Sequence, residues 1–156
     1  MRIMTLNDTL TVSAQVQPLD LEQLRDKGVT TLVCNRPDGE SQDQPSIAEL
    51  TQAAEKYGID LIAMPFRSGE QTAEQVTEFA ELLSSAQAAE KKIHAYCRTG
   101  NRSTCLWAAA SVSNGASVEE VLAAAKDCGF DVTETVKPYS GETPMSATNK
   151  TVVDSA

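Results

Sequence analysis

The strongest constraint on this chain is a repeating order in which short apolar or alternating runs are separated by capped helical segments. Thr9-Leu10-Thr11-Val12-Ser13 alternates with a period of two and predicts a strand. Val29-Thr30-Thr31-Leu32-Val33-Cys34 is apolar and β-branched, the pattern of a strand buried on both faces. Ile59 to Met64 and Lys92 to Tyr96 predict two more strands. Asp20-Leu21-Glu22-Gln23, Ser46-Ile47-Ala48-Glu49, Thr72-Ala73-Glu74-Gln75 and Ser117-Val118-Glu119-Glu120 each have the form of a capping box, in which the first and fourth side chains satisfy each other's backbone donors. Gly28, Gly58, Asn114-Gly115 and Gly129 stand where helices should stop. Strands alternating with helices predict an α/β three-layer sandwich around a mainly parallel central sheet.

The length of 156 residues predicts one domain, placed at 1–136, followed by a polar, Ser/Thr-rich tail at 137–156. The first residues carry no long apolar stretch, and no run of ~20 apolar residues occurs, so a cytoplasmic location away from membranes is expected. Thirteen basic residues against 22 acidic ones give a formal charge of −9. That field repels nucleic acid and anionic lipid, so a site for a small anion must be built locally. The cysteines Cys34, Cys97, Cys105 and Cys128 match no zinc spacing, and there is no Gly-rich nucleotide loop; no metal and no cofactor are expected. Structural disulfides are not expected in a reducing compartment.

One loop breaks the apolar pattern with chemistry. Cys97-Arg98-Thr99-Gly100-Asn101-Arg102-Ser103 lies between a strand ending at Tyr96 and a helix through Leu106, Trp107 and Ala110. A turn of this kind aims backbone N–H groups and the positive end of the helix dipole at one point, forming an anion cradle. Gly100 supplies the conformation the turn needs, and Arg102 can set a planar guanidinium against an oxyanion. Arg98, Thr99, Gly100 and Asn101 are the expected substrate-binding surround. Cys97 is the expected nucleophile, since a thiolate is favoured beside a helix N-terminus and arginines. Ser103 is expected to donate to that sulfur or to a leaving group. Cys34, Cys105 and Cys128 read as packing residues, and His94 as a hydrogen-bonded structural residue on its strand. Arg36 either anchors the loop of Asp38 and Glu40 or covers the site.

The loop resembles that of rhodanese sulfurtransferases, with four residues between Cys97 and Arg102; protein tyrosine phosphatases have five. The rest of the chain resembles dual-specificity phosphatases, notably Gly28 through the Arg36-Pro37-Asp38-Gly39-Glu40 loop. The combination of Ser13-Ala14-Gln15, Arg36 to Glu40, Met64-Pro65 and the Cys97 loop is similar, over residues 5–132, to the phosphatase-like domain of bacterial beta-lactamase-hydrolase-like proteins, also described as sulfurtransferases. The resemblance implies the tyrosine-phosphatase fold and a context near sulfide or persulfide oxidation.

Two reactions fit such a loop. Phosphoester hydrolysis needs a general acid for the leaving oxygen. The expected acid loop, Met64 to Gln71, holds no Asp, leaving Glu70, Asp38 and Glu40 as candidate acids and Arg67 as an added anion-binding charge. Sulfur transfer needs no strong acid: the thiolate takes the outer sulfur of thiosulfate or a persulfide, becomes a persulfide, and passes the sulfur to a low-molecular-weight thiol. The short loop and the missing Asp favour sulfur transfer, with tyrosine-phosphatase-like hydrolysis as the alternative and a non-catalytic anion- or persulfide-binding module as a third class.

Overall fold

The computed structural model describes residues 1–140. Five strands form one sheet: β1 (Met4–Thr5), β2 (Leu10–Ser13), β3 (Val29–Cys34), β4 (Asp60–Ala63) and β5 (Lys92–Tyr96), in the order β1-β2-β5-β3-β4. β2, β5, β3 and β4 run parallel, and the short edge strand β1 pairs antiparallel with β2. The four parallel strands are those the apolar pattern predicts. β1 escapes that pattern because two residues are too few to show alternation.

Helices α1 (Leu21–Asp26) and α2 (Ile47–Glu55) cover one face of the sheet. Their Leu21, Leu24, Leu50 and Ala54 pack with Leu32, Cys34 and Tyr96. Helices α3 (Ala73–Ala88), α4 (Asn101–Ser113), α5 (Val118–Asp127) and the short α6 (Thr133–Val136) belong to the other side. There Phe79, Leu83, Leu106, Trp107 and Val121 pack with Val33, Ile93 and Ala95. Neighbours such as Leu32 and Val33, or Ala95 and Tyr96, point into opposite cores, as the two-residue period of a strand requires. The result is the predicted three-layer sandwich. α4 packs against α3, α5 and α6 and is buried on most of its circumference, so its sequence shows no clean amphipathic stripe.

The capping signals hold at Ser46/Glu49 and Thr72/Gln75, where both halves of the box form. At Ser117 only the Ser half forms, accepting from the Glu120 N–H at 3.3 Å. Asp20 does something else. Its carboxylate accepts from the Gln17 N–H at 2.8 Å and closes a 3-10 turn, Pro18–Asp20, ahead of α1. Pro18 suits the start of such a turn because it needs no N–H there. Of the predicted tail, Lys137–Tyr139 forms a 3-10 turn and residues 141–156 lie outside the described residues.

His94, fully buried on β5, is tied to β2 through both ring nitrogens. Nδ1 meets Thr11 Oγ1 and Nε2 meets Ser13 Oγ, each at 2.7 Å. The Ser13 hydroxyl donates its proton to the Ala14 carbonyl at 2.8 Å, so it accepts from His94. Nε2 therefore carries the proton, and Nδ1 accepts from Thr11. This is the structural role expected for the residue. Burial pushes its pKa down to about 3. Below pH ~6.5 the unfolded chain binds a proton here that the fold refuses until near pH 3. Stability should thus fall by about 1.4 kcal/mol per pH unit across that window because of this residue alone. Urea denaturation of the wild type and His94→Gln at pH 7 and pH 5 checks it: the variant should lose less stability on acidification, and parallel losses would refute the assignment.

Candidate active site

Cys97 directly follows β5, at the carboxyl-terminal edge of the sheet where open α/β folds place their ligands. It is buried, and its sulfur accepts from the Gly100 N–H at 3.1 Å. Helix α4 begins at Asn101, so the sulfur lies at the positive end of that helix. Thr99 Oγ1 accepts from the Asn101 N–H at 3.2 Å, so one of the expected cradle donors is already engaged. Arg98, Thr99 and Asn101 are exposed, while Gly100, Arg102 and Ser103 are buried.

Gly100 has φ +100° and caps α4 without a side chain. A Cβ there would lie 3.2 Å from both Met4 Cε and Phe130 Cζ and 3.5 Å from the Ser13 carbonyl carbon. Only glycine combines this conformation with this close approach. Gly100→Ala should therefore cost about 1–3 kcal/mol and displace the backbone N–H that meets the sulfur. Thermal denaturation and turnover measured together test this. Unchanged values for both would show that the loop relaxes freely.

Arg102 does not stand free in the loop. Its Nη1 and Nη2 donate to Glu40 Oε2 and Oε1, both at 2.8 Å, and Nη1 also donates to the Phe66 carbonyl at 3.0 Å. Glu40 Oε1 further accepts from Arg36 Nε at 3.0 Å, and Arg36 Nη1 donates to Gln15 Oε1 at 2.9 Å. Arg36 and Arg102 are buried, and one carboxylate bridges them. The hydrogen bonds it donates to Glu40, with the nearby Cys97 sulfur, hold the Arg102 guanidinium still more firmly charged. Arg36 is thus an anchor of its loop. The segments at Gln15, Arg36–Glu40, Phe66 and Cys97–Arg102, far apart in the chain, meet through this network. Its pairing rests on loop-to-loop contacts, and no sequence periodicity signals them.

Two of the expected acids are corrected by this geometry. The Arg102 and Arg36 guanidiniums push the Glu40 carboxyl down to about 2, so at neutral pH it is ionised and has no proton to give. Asp38 Oδ1 accepts from the Ile47 N–H at 2.9 Å, which ties Asp38 to the start of α2 rather than to the sulfur. Glu70 is exposed on a turn closed by its own N–H to the Arg67 carbonyl at 2.9 Å, and Arg67 is exposed on the same turn. The Ser103 hydroxyl, next to Arg102 in the first turn of α4, is fully buried and has no hydrogen-bond partner. The expected bond to Cys97 is not formed. A buried hydroxyl left unpaired costs about 1–3 kcal/mol, which an acceptor brought into the loop would relieve. Burial pushes the Cys34, Cys105 and Cys128 thiols up, in keeping with packing roles. Among the described residues no group of His, Cys, Asp or Glu is arranged to hold a metal, and no helix is long and apolar enough to cross a membrane.

A mainly parallel sheet with a buried cysteine directly after β5, and an arginine in the first turn of the helix that follows, defines a phosphatase-like cysteine-loop domain. Residues 1–117 match the family described as the phosphatase-like domain of beta-lactamase hydrolase-like protein. The chain belongs to that family, as the resemblance in its motifs implies. Beta-lactamase hydrolase-like proteins of Agrobacterium fabrum (strain C58) and Xylella fastidiosa (strain 9a5c) are each 26% identical to it, over 74% and 85% of this chain. The chain spans only 26% and 30% of the length of those two relatives. Among solved structures, a candidate phosphatase of Neisseria meningitidis Z2491 is 31% identical, with a TM-score of 0.76, over 89% of this chain and 96% of its own. PTPMT1, at 15% identity, shares the fold with a TM-score of 0.73, over 88% of this chain and 93% of its own. These likenesses favour the phosphatase-like alternative of the sequence reading over sulfur transfer.

Proposed function

We propose that this domain is a cysteine-dependent phosphoester hydrolase acting on small phosphate monoesters. The observation that carries this reading is the placement of Cys97 at the amino end of α4, beside Arg102, in a phosphatase-like fold. The Cys97 thiolate attacks phosphorus, the P–O ester bond breaks, and the alcohol oxygen leaves with the electron pair. Water then attacks the phosphocysteine, releases inorganic phosphate and restores the thiolate. The Gly100 N–H, Arg102 and the orphaned Ser103 hydroxyl are the groups that meet the charge on the equatorial oxygens or the returning sulfur.

Leaving-group protonation falls to Glu70, the one candidate acid whose carboxylate has no partner among the described residues. Aryl phosphates, whose leaving groups need little help, should be turned over faster than alkyl phosphates. Glu70→Gln should slow the alkyl esters selectively, by about tenfold to a hundredfold. Equal slowing of both ester classes would remove Glu70 from the role.

A second reading, sulfur transfer, is favoured by the four-residue spacing between Cys97 and Arg102. There the thiolate attacks the outer sulfur of thiosulfate, the S–S bond breaks, sulfite leaves with the electron pair, and a thiol acceptor later takes the sulfur from Cys97. One preparation decides between them, incubated in parallel with an aryl phosphate and with thiosulfate. Phosphate release that depends on Cys97 supports the hydrolase. A mass gain of one sulfur on Cys97 without phosphate release overturns it in favour of the transferase.

A further inference from the structure

Four of the six arginines in the chain follow the carboxyl ends of β3, β4 and β5: Arg36, Arg67 and Arg98 on loops, and Arg102 in the first turn of α4. The lysines Lys27, Lys56, Lys91 and Lys92 fall before or at the start of the same strands, at the opposite edge of the sheet. This edge of the sheet therefore gathers guanidinium groups, which suit oxyanions, on a chain whose formal charge is −9. Two of the four are committed: Arg36 and Arg102 share Glu40. The other two are not. Arg67 and Arg98 are exposed and have no carboxylate partner among the described residues, although acidic residues outnumber basic ones by 22 to 13. Glu70 closes the turn that carries Arg67, yet its carboxylate makes no ion pair with it. Asp38, on the loop after β3, accepts from the Ile47 N–H and makes no ion pair with either arginine.

Chain position sets both arginines next to residues that belong to the cysteine loop or are in contact with it. Arg98 directly follows Cys97. Arg67 directly follows Phe66, whose carbonyl accepts from Arg102 Nη1 at 3.0 Å. The two approach the loop from different strands, one from β5 and one from β4.

We infer that Arg67 and Arg98 form a second anion subsite at the mouth of the Cys97 loop, and that the natural substrate carries an additional anionic group, carboxylate or phosphate, beyond the group that reacts. This deepens the reading of the loop as an anion-binding active site, and the test is chosen to stand apart from turnover. Binding of three probes to Cys97→Ser would be measured by calorimetry at low and high salt: phenyl phosphate, 3-carboxyphenyl phosphate and 4-carboxyphenyl phosphate. At least one carboxylated probe should bind about tenfold more tightly than phenyl phosphate at low salt, and the advantage should shrink as salt rises. In Cys97→Ser carrying Arg67→Ala and Arg98→Ala as well, the affinity ratio between the carboxylated probe and phenyl phosphate should fall to about twofold or less, whatever the affinity for phenyl phosphate itself becomes. Equal affinity for all three probes overturns the subsite, as does an advantage that survives the double substitution or a failure of all three to bind. A wild-type chain that hydrolyses no aryl phosphate, but whose Cys97→Ser form keeps the arginine-dependent preference, would refute the hydrolase and leave the subsite standing.

Discussion

Cys97→Ser should lower aryl-phosphate turnover by at least about ten-thousandfold while leaving the fold intact. The sulfur is buried and held by the Gly100 N–H, a contact that a serine hydroxyl can keep. The loss therefore isolates nucleophilicity from architecture. A hydroxyl in that place is a far weaker nucleophile, and no histidine is available to activate it. His94, the single histidine of the sequence, has both nitrogens occupied by Thr11 and Ser13. Steady-state kinetics and circular dichroism on the same samples provide the check. A variant that keeps a tenth of the wild-type rate would show that the hydrolysis runs through some other group, and would remove Cys97 as its nucleophile.

Glu40→Ala should produce the second large effect, on stability and activity together. It leaves Arg36 and Arg102, 4% and 7% exposed, without the carboxylate they share. Removing one member of a buried charge network strands the others, at a cost of about 3 kcal/mol, discounted somewhat here because Glu40 itself is partly solvated. Freed from its two-point clamp, the Arg102 guanidinium loses its fixed plane, and kcat/KM should drop by about a hundredfold. Denaturation midpoints and kinetics of Glu40→Ala beside Glu40→Gln test both parts; Gln keeps an acceptor for one guanidinium but no charge. If Glu40→Ala were as active as the wild type, Arg102 would not depend on Glu40 for its orientation.

The pH behaviour separates this network from His94. The Glu40 carboxyl titrates near 2 in the fold and near 4.5 when unpaired. Its stabilising contribution is complete above pH ~4.5 and is lost as pH falls toward 2. His94 acts earlier, between pH ~6.5 and 3. Acid loss of stability above pH 5 should therefore track His94, and Glu40→Gln should leave that part of the curve unchanged.

The site was legible in the chain only as far as local chemistry reaches. Cys97, Gly100 and Arg102 announce themselves because a cysteine among polar and charged neighbours, with a glycine before a helix, has no packing explanation. In the sequence Asp38 and Glu40 read as acids because a loop carboxylate is a residue type that can carry a proton to a leaving group. The folded structure gives them other work, one at the start of α2 and one between two guanidiniums. Asp20 misled in a similar way: the residues of a capping box were present, but Pro18 drew the first turn upstream.

The parallel strands, two reciprocal helix caps and the cysteine loop were determined by the sequence itself, because each depends on periods and contacts a few residues long. Which charges meet was decided by tertiary structure. Strand order β1-β2-β5-β3-β4 sets β5 between β2 and β3, and so gathers the loops of Gln15, Arg36–Glu40 and Arg102 at one edge. A carboxylate's proton affinity and an arginine's freedom depend on neighbours tens of residues away, 62 positions in the case of Glu40 and Arg102. No pattern of short period records such a pairing.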